Sequence, residues 1–179
     1  PGDEAKRIKK FIEDQELHPV AILLTHGHFD HVMAVDSVRT AYHIPVYAAE
    51  AEKETMQDAS INLSINMGGA MLSVEADHWL KDGETITLLD QEVRCILTPG
   101  HTVGGMCFYF PKAGMLFSGD TLFQESVGRT DFPGGSMSEI VRSIREKLFV
   151  LPDAVQVYPG HGLMTSIKNE KMFNPFAVE

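Results

Sequence analysis

Three histidines and an aspartate, His26, His28, Asp30 and His31, fall within the seven-residue stretch THGHFDH (25–31). Imidazole nitrogens and carboxylate oxygens are the side-chain donors that suit zinc, iron and manganese. Three later stretches offer the same donors singly: His101 in ILTPGHTVGG, Asp120 in LFSGDT and His161 in VYPGH. Each follows an apolar run, and each is preceded by glycine (Gly100, Gly119, Gly160), which permits a sharp turn and close backbone approach. Residues two apart in extended chain face the same way. His26 and His28 can therefore serve one ion, and a bend after Phe29 turns Asp30 and His31 toward a second. None of these loops contains cysteine, which argues against a closed, Cys-rich structural zinc site.

The elements that must carry these loops are readable at a coarse level. Asp3 is placed to cap a helix bearing Ala5, Ile8, Phe11 and Ile12 at helical spacing. VAILLT (20–25) reads as a buried strand ending at His26. A helix is expected after Asp30, with Val32, Val35, Val38 and Tyr42 on one side. A strand is expected over 44–49 and a helix over 50–59. Residues 60–80 show no clear period, and 67–71 reads as a loop or a short helix. Strands follow at 82–89 and 91–98, then a hairpin of 105–110 and 115–120. A helix over 138–149, a strand over 154–161 and a short closing helix over 168–173 complete the chain. Strands fix direction, so loops at four strand ends can converge on one point.

A chain of 179 residues with 44% hydrophobic and 22% charged residues is expected to be a single domain over 1–179. The net charge of −10 argues against nucleic acid or an anionic membrane as partner. No apolar run reaches membrane-spanning length, and no signal-peptide pattern is visible. Cys95 and Cys107 form no CxxC pair and read as buried thiols inside strands. These features point to a cytoplasmic protein.

On THGHFDH, PGHTVGG, FSGDT, GRTDFPGG and YPGH, in that order over residues 25–161, the chain resembles the metallo-β-lactamase-fold hydrolases. Within them it is similar to the short glyoxalase II-like (hydroxyacylglutathione hydrolase-like) group. The resemblance implies an α+β fold, an αββα sandwich of the metallo-β-lactamase type, here without its first N-terminal strands. It implies two divalent metal ions, zinc first with iron or manganese as alternatives. Metal 1 would be held by His26, His28 and His101, and metal 2 by Asp30, His31 and His161. Asp120 would bridge both, together with a water or hydroxide. Glyoxalase II proper continues into a helical region that grips glutathione, whereas 18 residues follow His161 here.

The chemistry so implied is attack of a metal-bridging hydroxide, oriented by Asp30 or Asp120, on the carbonyl of a small-molecule thioester such as a hydroxyacylglutathione. Around the ligands, Thr102 and Thr121 are expected to orient His101 and Asp120. Arg129 and Asp131 are expected to form a buried or half-buried ion pair that shapes the site wall, with Asp131 able to receive a histidine N–H. Two alternatives remain open. One is an Fe(II) persulfide dioxygenase of the same fold, with iron on His26, His101 and Asp120. The other is a non-catalytic metal-binding domain.

Overall fold

The computed structural model describes residues 1–177; the last two residues of the domain expected over 1–179 lie outside them. The chain divides into two compact units, Pro1–Leu80 and Lys81–Glu179.

The first unit contains, in order, α1 (Ala5–Asp14), β1 (Ile22–Leu23), α2 (Phe29–Val32), α3 (Val35–Tyr42), β2 (Val46–Ala49), α4 (Lys53–Gln57) and β3 (His78–Leu80). The three strands form one sheet in the order β1-β2-β3. Both pairings are parallel, with Ile22 opposite Val46 and Tyr47 opposite His78. Parallel strands need helical crossovers, and covering helices bury them. Accordingly Ile22, Leu24, Val32, Val35, Val38, Val46, Ala48, Met56 and Val74 make one buried cluster, with Ala5, Ile8 and Tyr42 packed against it.

Three expectations need correction here. The single helix after Asp30 is broken into α2 and α3, because the Ala34 N–H donates to the Pro1 carbonyl (3.1 Å) instead of to a carbonyl one turn back. Glu4, not Asp3, caps α1, in a left-handed conformation (φ 51°). The Asp3 carboxylate instead accepts from the Glu4 N–H (2.6 Å). Phe11, read as part of the apolar face of α1, is exposed. The stretch 60–80 contains a π-type turn, Ser64–Gly68, and then β3; Met67 and Met71 are exposed and take no part in a core.

The second unit contains β4 (Thr85–Leu88), β5 (Gln91–Leu97), β6 (Met106–Phe110), β7 (Met115–Gly119), β8 (Leu122–Phe123), β9 (Ser126–Val127), α5 (Met137–Ser143), β10 (Gln156–Pro159), β11 (Thr165–Ser166) and α6 (Ile167–Phe173). Six strands form a sheet in the order β11-β10-β7-β6-β5-β4, and β8 and β9 pair separately as a small hairpin. Within the six-stranded sheet only β10 and β7 are parallel. Period-2 alternation puts Cys107 and Tyr109 of β6, Leu116 of β7 and Val157 of β10 on one face. They cluster there with Ile140, Ile144, Leu148 and Ile167 from the helical segments. Ser136 and Ser166 cap α5 and α6, each hydroxyl accepting from an N–H three residues on. No helix among the described residues is long and apolar enough to cross a membrane.

The Lys147 ammonium donates to Asp82 Oδ2 (2.6 Å) and to the Leu97 carbonyl (2.7 Å), and the Leu97 N–H donates to Asp82 Oδ1 (2.9 Å). Partial burial pushes the Asp82 carboxyl upward, but these bonds and the Lys147 charge outweigh it and hold the group below the ordinary carboxylate range. A depressed folded-state pKa stabilises above the unfolded value of about 3.9, and that stabilisation is lost as pH falls through the folded value. The pair is half exposed, so Asp82→Asn is expected to cost less than about 1 kcal/mol at neutral pH. The difference from the parent should vanish in strong acid, as read by urea denaturation at both pH values.

Candidate metal centre

In the first unit, the loop leaving β1 carries all four expected donors into the first turn of α2. His26 and His28 are buried. The rings of His26 and His28 lie edge to face with centroids 4.9 Å apart, and those of His26 and His31 lie 4.0 Å apart. A donor atom of His26 lies within 4.8 Å of one on His28 and of one on His31, and the same holds for Asp30 and His31. The alternation that pairs His26 with His28 is therefore realised, and the helical turn brings Asp30 and His31 to the same loop. Beneath it, the Gly27 N–H donates to Glu52 Oε1 (2.9 Å), and Glu52 is almost fully buried. The Phe29 N–H donates to the carbonyl of buried Asn62 (2.9 Å). Neither Glu52 nor Asn62 stood out in the sequence, since both lie remote from the motif in segments with no signal of their own.

In the second unit, His101 follows β5, Asp120 follows β7 and His161 follows β10. Gly100 and Gly119 have φ of 138° and 52°, conformations that disfavour side chains. His101 Nδ1 lies 2.8 Å from the Arg129 carbonyl oxygen. A carbonyl can only accept, so Nδ1 carries the hydrogen and a neutral ring presents its lone pair at Nε2. That Nε2 is 3.6 Å from Asp120 Oδ2, and His161 Nε2 is also 3.6 Å from the same oxygen. The separation is too long for a hydrogen bond. Two donors on one tetrahedral ion, each at about 2.0–2.2 Å, stand roughly 3.4 Å apart. One carboxylate oxygen set between two imidazole nitrogens in this way fits a shared ligand.

The expected supporting residues behave differently from one another. Thr121 Oγ1 pairs with Thr98 Oγ1 (2.9 Å), which also lies 3.3 Å from Cys107 Sγ, so its hydroxyl joins a buried polar cluster below Asp120. Thr102 is buried, and its carbonyl accepts from the Gly100 N–H (3.0 Å), fixing the turn at His101. Arg129 and Asp131 do pair through two bonds of 2.7 and 2.6 Å, but both side chains are exposed, which corrects the expectation of a buried pair. The guanidinium also stacks on Phe132, 3.9 Å from the ring centroid. The Asp131 carboxyl is held down at about 2 by that guanidinium. It is the Arg129 carbonyl, not Asp131, that receives the histidine N–H. Both thiols are buried and free. Burial pushes each up to about 11.

His43 terminates α3 in a left-handed conformation, and His78 stacks on Tyr47.

Residues 1–161 match the family described as the Metallo-beta-lactamase superfamily. The chain is 40% identical over 177 residues to the "Probable metallo-hydrolase YqgX" of Bacillus subtilis, covering 98% of this chain and 84% of that protein. It is 34% identical over 180 residues to the "Hydroxyacylglutathione hydrolase GloC" of Haemophilus influenzae, with the same coverages of 98% and 84%. Among solved structures, that of "BLEG-1 B3 metallo-beta-lactamase" matches with TM-score 0.95 and 39% identity, over 100% of this chain and 87% of the other. The structure of "TTHA1623 in a di-iron-bound form" matches with TM-score 0.87 and 35% identity, over 98% and 86%. The chain therefore has the metallo-β-lactamase fold, a mixed α and β architecture with a sheet core. Its histidine and aspartate donor groups are of the kind that hold divalent metals. On these grounds the chain belongs to the metallo-β-lactamase superfamily and is a metallo-hydrolase of that family.

Proposed function

We propose that the chain is a thioesterase acting on hydroxyacylglutathione-like substrates through a dinuclear metal centre. His26, His28 and His101 would hold one ion, Asp30, His31 and His161 the other, and Asp120 both. The observation that carries the reading is the single Asp120 oxygen lying 3.6 Å from both His101 Nε2 and His161 Nε2. The similarity to GloC supports the substrate class, and the di-iron form of TTHA1623 supports two ions with iron as an alternative to zinc.

When bound, divalent ions would lower the pKa of water toward about 7 and polarise a carbonyl oxygen. The remaining work falls to the chain. The Arg129 carbonyl holds the His101 ring in one tautomer. Five imidazoles are neutral donors and two carboxylates bring two negative charges, so two divalent ions leave the site positive on a chain of net charge −10. Such a site favours an anionic carrier such as glutathione. Asp30 is the more open carboxylate, its side chain 40% exposed against 10% for Asp120, and is suited to orient the attacking water. A thiolate leaves without needing a further acid. We place the activity in the cytoplasm, a location supported by the two free thiols.

The test is metal content of protein purified without added metal, with a chromogenic thioester screen run with and without chelator. Two ions per chain and chelator-sensitive hydrolysis are expected. One iron per chain with oxygen uptake would instead mark a dioxygenase. The similarity to BLEG-1 supports a second reading, β-lactam hydrolysis. A chromogenic cephalosporin in the same screen separates the two.

A further inference from the structure

We propose that Glu170, on α6, is the positioning residue that holds all three candidate ligands of the second unit in register. The inference rests on the metal-centre reading above.

Glu170 is fully buried. Four donors meet its two oxygens. Oε1 accepts from the Thr165 hydroxyl (2.6 Å) and the Asn169 amide (2.9 Å). Oε2 accepts from the Glu125 N–H (2.9 Å) and the Asn174 amide (2.9 Å). The Asn174 amide also donates to the Ser126 carbonyl (3.1 Å), and Asn174 is itself fully buried. A buried carboxylate is costly unless every lone pair is used, so a network this complete ties its partners firmly.

Those partners are the supports of the ligands. Glu125 lies in the turn of the β8–β9 hairpin and Ser126 opens β9, with Glu125 in the left-handed region (φ 52°), a conformation that persists only where its surroundings enforce it. The hairpin leaves directly from Asp120 and Thr121. It returns to Gly128, where a Cβ would sit 1.8 Å from the Asp120 carbonyl oxygen, and then to Arg129, whose carbonyl fixes His101. Thr165 stands four residues beyond His161. One carboxylate thus reaches Asp120 and His101 through the hairpin tip, and His161 through Thr165.

Glu170→Gln replaces one oxygen by an NH2 group facing two donors, breaking two of the four bonds while keeping the volume. The probe is cobalt(II) titrated into metal-free protein, read by its visible absorption at a temperature where circular dichroism shows each variant folded. Glu170→Gln is expected to weaken cobalt binding by about 10-fold or more, the scale of lost support behind metal ligands, and to alter the spectrum. Val93→Ala, a change to the buried core of β5, serves as a control destabilised through packing and is expected to bind as the parent does. A Glu170→Gln titration that superposes on the parent, or a Val93→Ala chain weakened as much, overturns the proposal. Should Glu170→Gln fail to fold, Thr165→Val removes one donor at constant volume and decides the matter on the same readouts, with a smaller loss expected. A parent chain that takes up no cobalt overturns the metal-centre reading, and this inference with it.

Discussion

Replacing Asp120 by alanine is expected to abolish turnover, by about 10^3-fold or more, the scale of removing a group that acts only in concert with others. It should also lower the metal content of the purified protein. The reason is geometric: one Asp120 oxygen lies 3.6 Å from each of two imidazole nitrogens. Its loss removes a donor from two positions at once, where loss of a histidine removes one. The side chain is nine-tenths buried, and the alanine side chain introduces no clash, so the fold should survive. Metal analysis alongside kinetics on the best thioester checks this. Turnover within a few-fold of the parent would count heavily against the proposed centre.

Gly100→Ala is the second large effect, and it acts through packing. Gly100 has φ 138°, and a Cβ there would fall 2.3 Å from the Ile140 backbone nitrogen and 2.4 Å from the Ile140 Cβ. Ile140 is a fully buried residue of α5, and the Ser136 N–H at the start of that helix donates to the Gly100 carbonyl (2.8 Å). The clash is with backbone, which no rotamer change relieves. Strain and overpacking together are expected to cost about 3–5 kcal/mol, measured as the shift in the urea midpoint. Because Gly100 precedes His101, any chain that still folds should also hold metal more weakly.

The candidate donors were legible because their chemistry is rare and, for the four in residues 25–31, their spacing is local. HxHxDH needs only strand alternation and one helical turn to bring its side chains together, and both belong to the sequence at that point. The supports were not legible. Glu52 and Glu170 are buried carboxylates in segments that read as ordinary amphipathic helix, and nothing local distinguishes them from solvated glutamates. The acceptor for His101 is the backbone carbonyl of Arg129, a group every residue has, whereas the Asp131 carboxylate is the side-chain acceptor that the sequence offers nearby. The same limit applies to the fold. Five strands of the six-stranded sheet could be read from their apolar runs and turns, but the sixth, β11, is two residues long and could not. The two-residue strands of the β8–β9 hairpin have no period to detect, and the break between α2 and α3 depends on Pro1, far off in sequence.

The two sulfur nucleophiles are placed with an outcome that matters for an enzyme proposed to release a thiol at each turnover. Cys95 and Cys107 are buried in adjacent strands and held near 11, so neither offers the anionic sulfur that attacks a disulfide. Burial and the raised value both disfavour a mixed disulfide between either cysteine and the disulfide form of a released thiol.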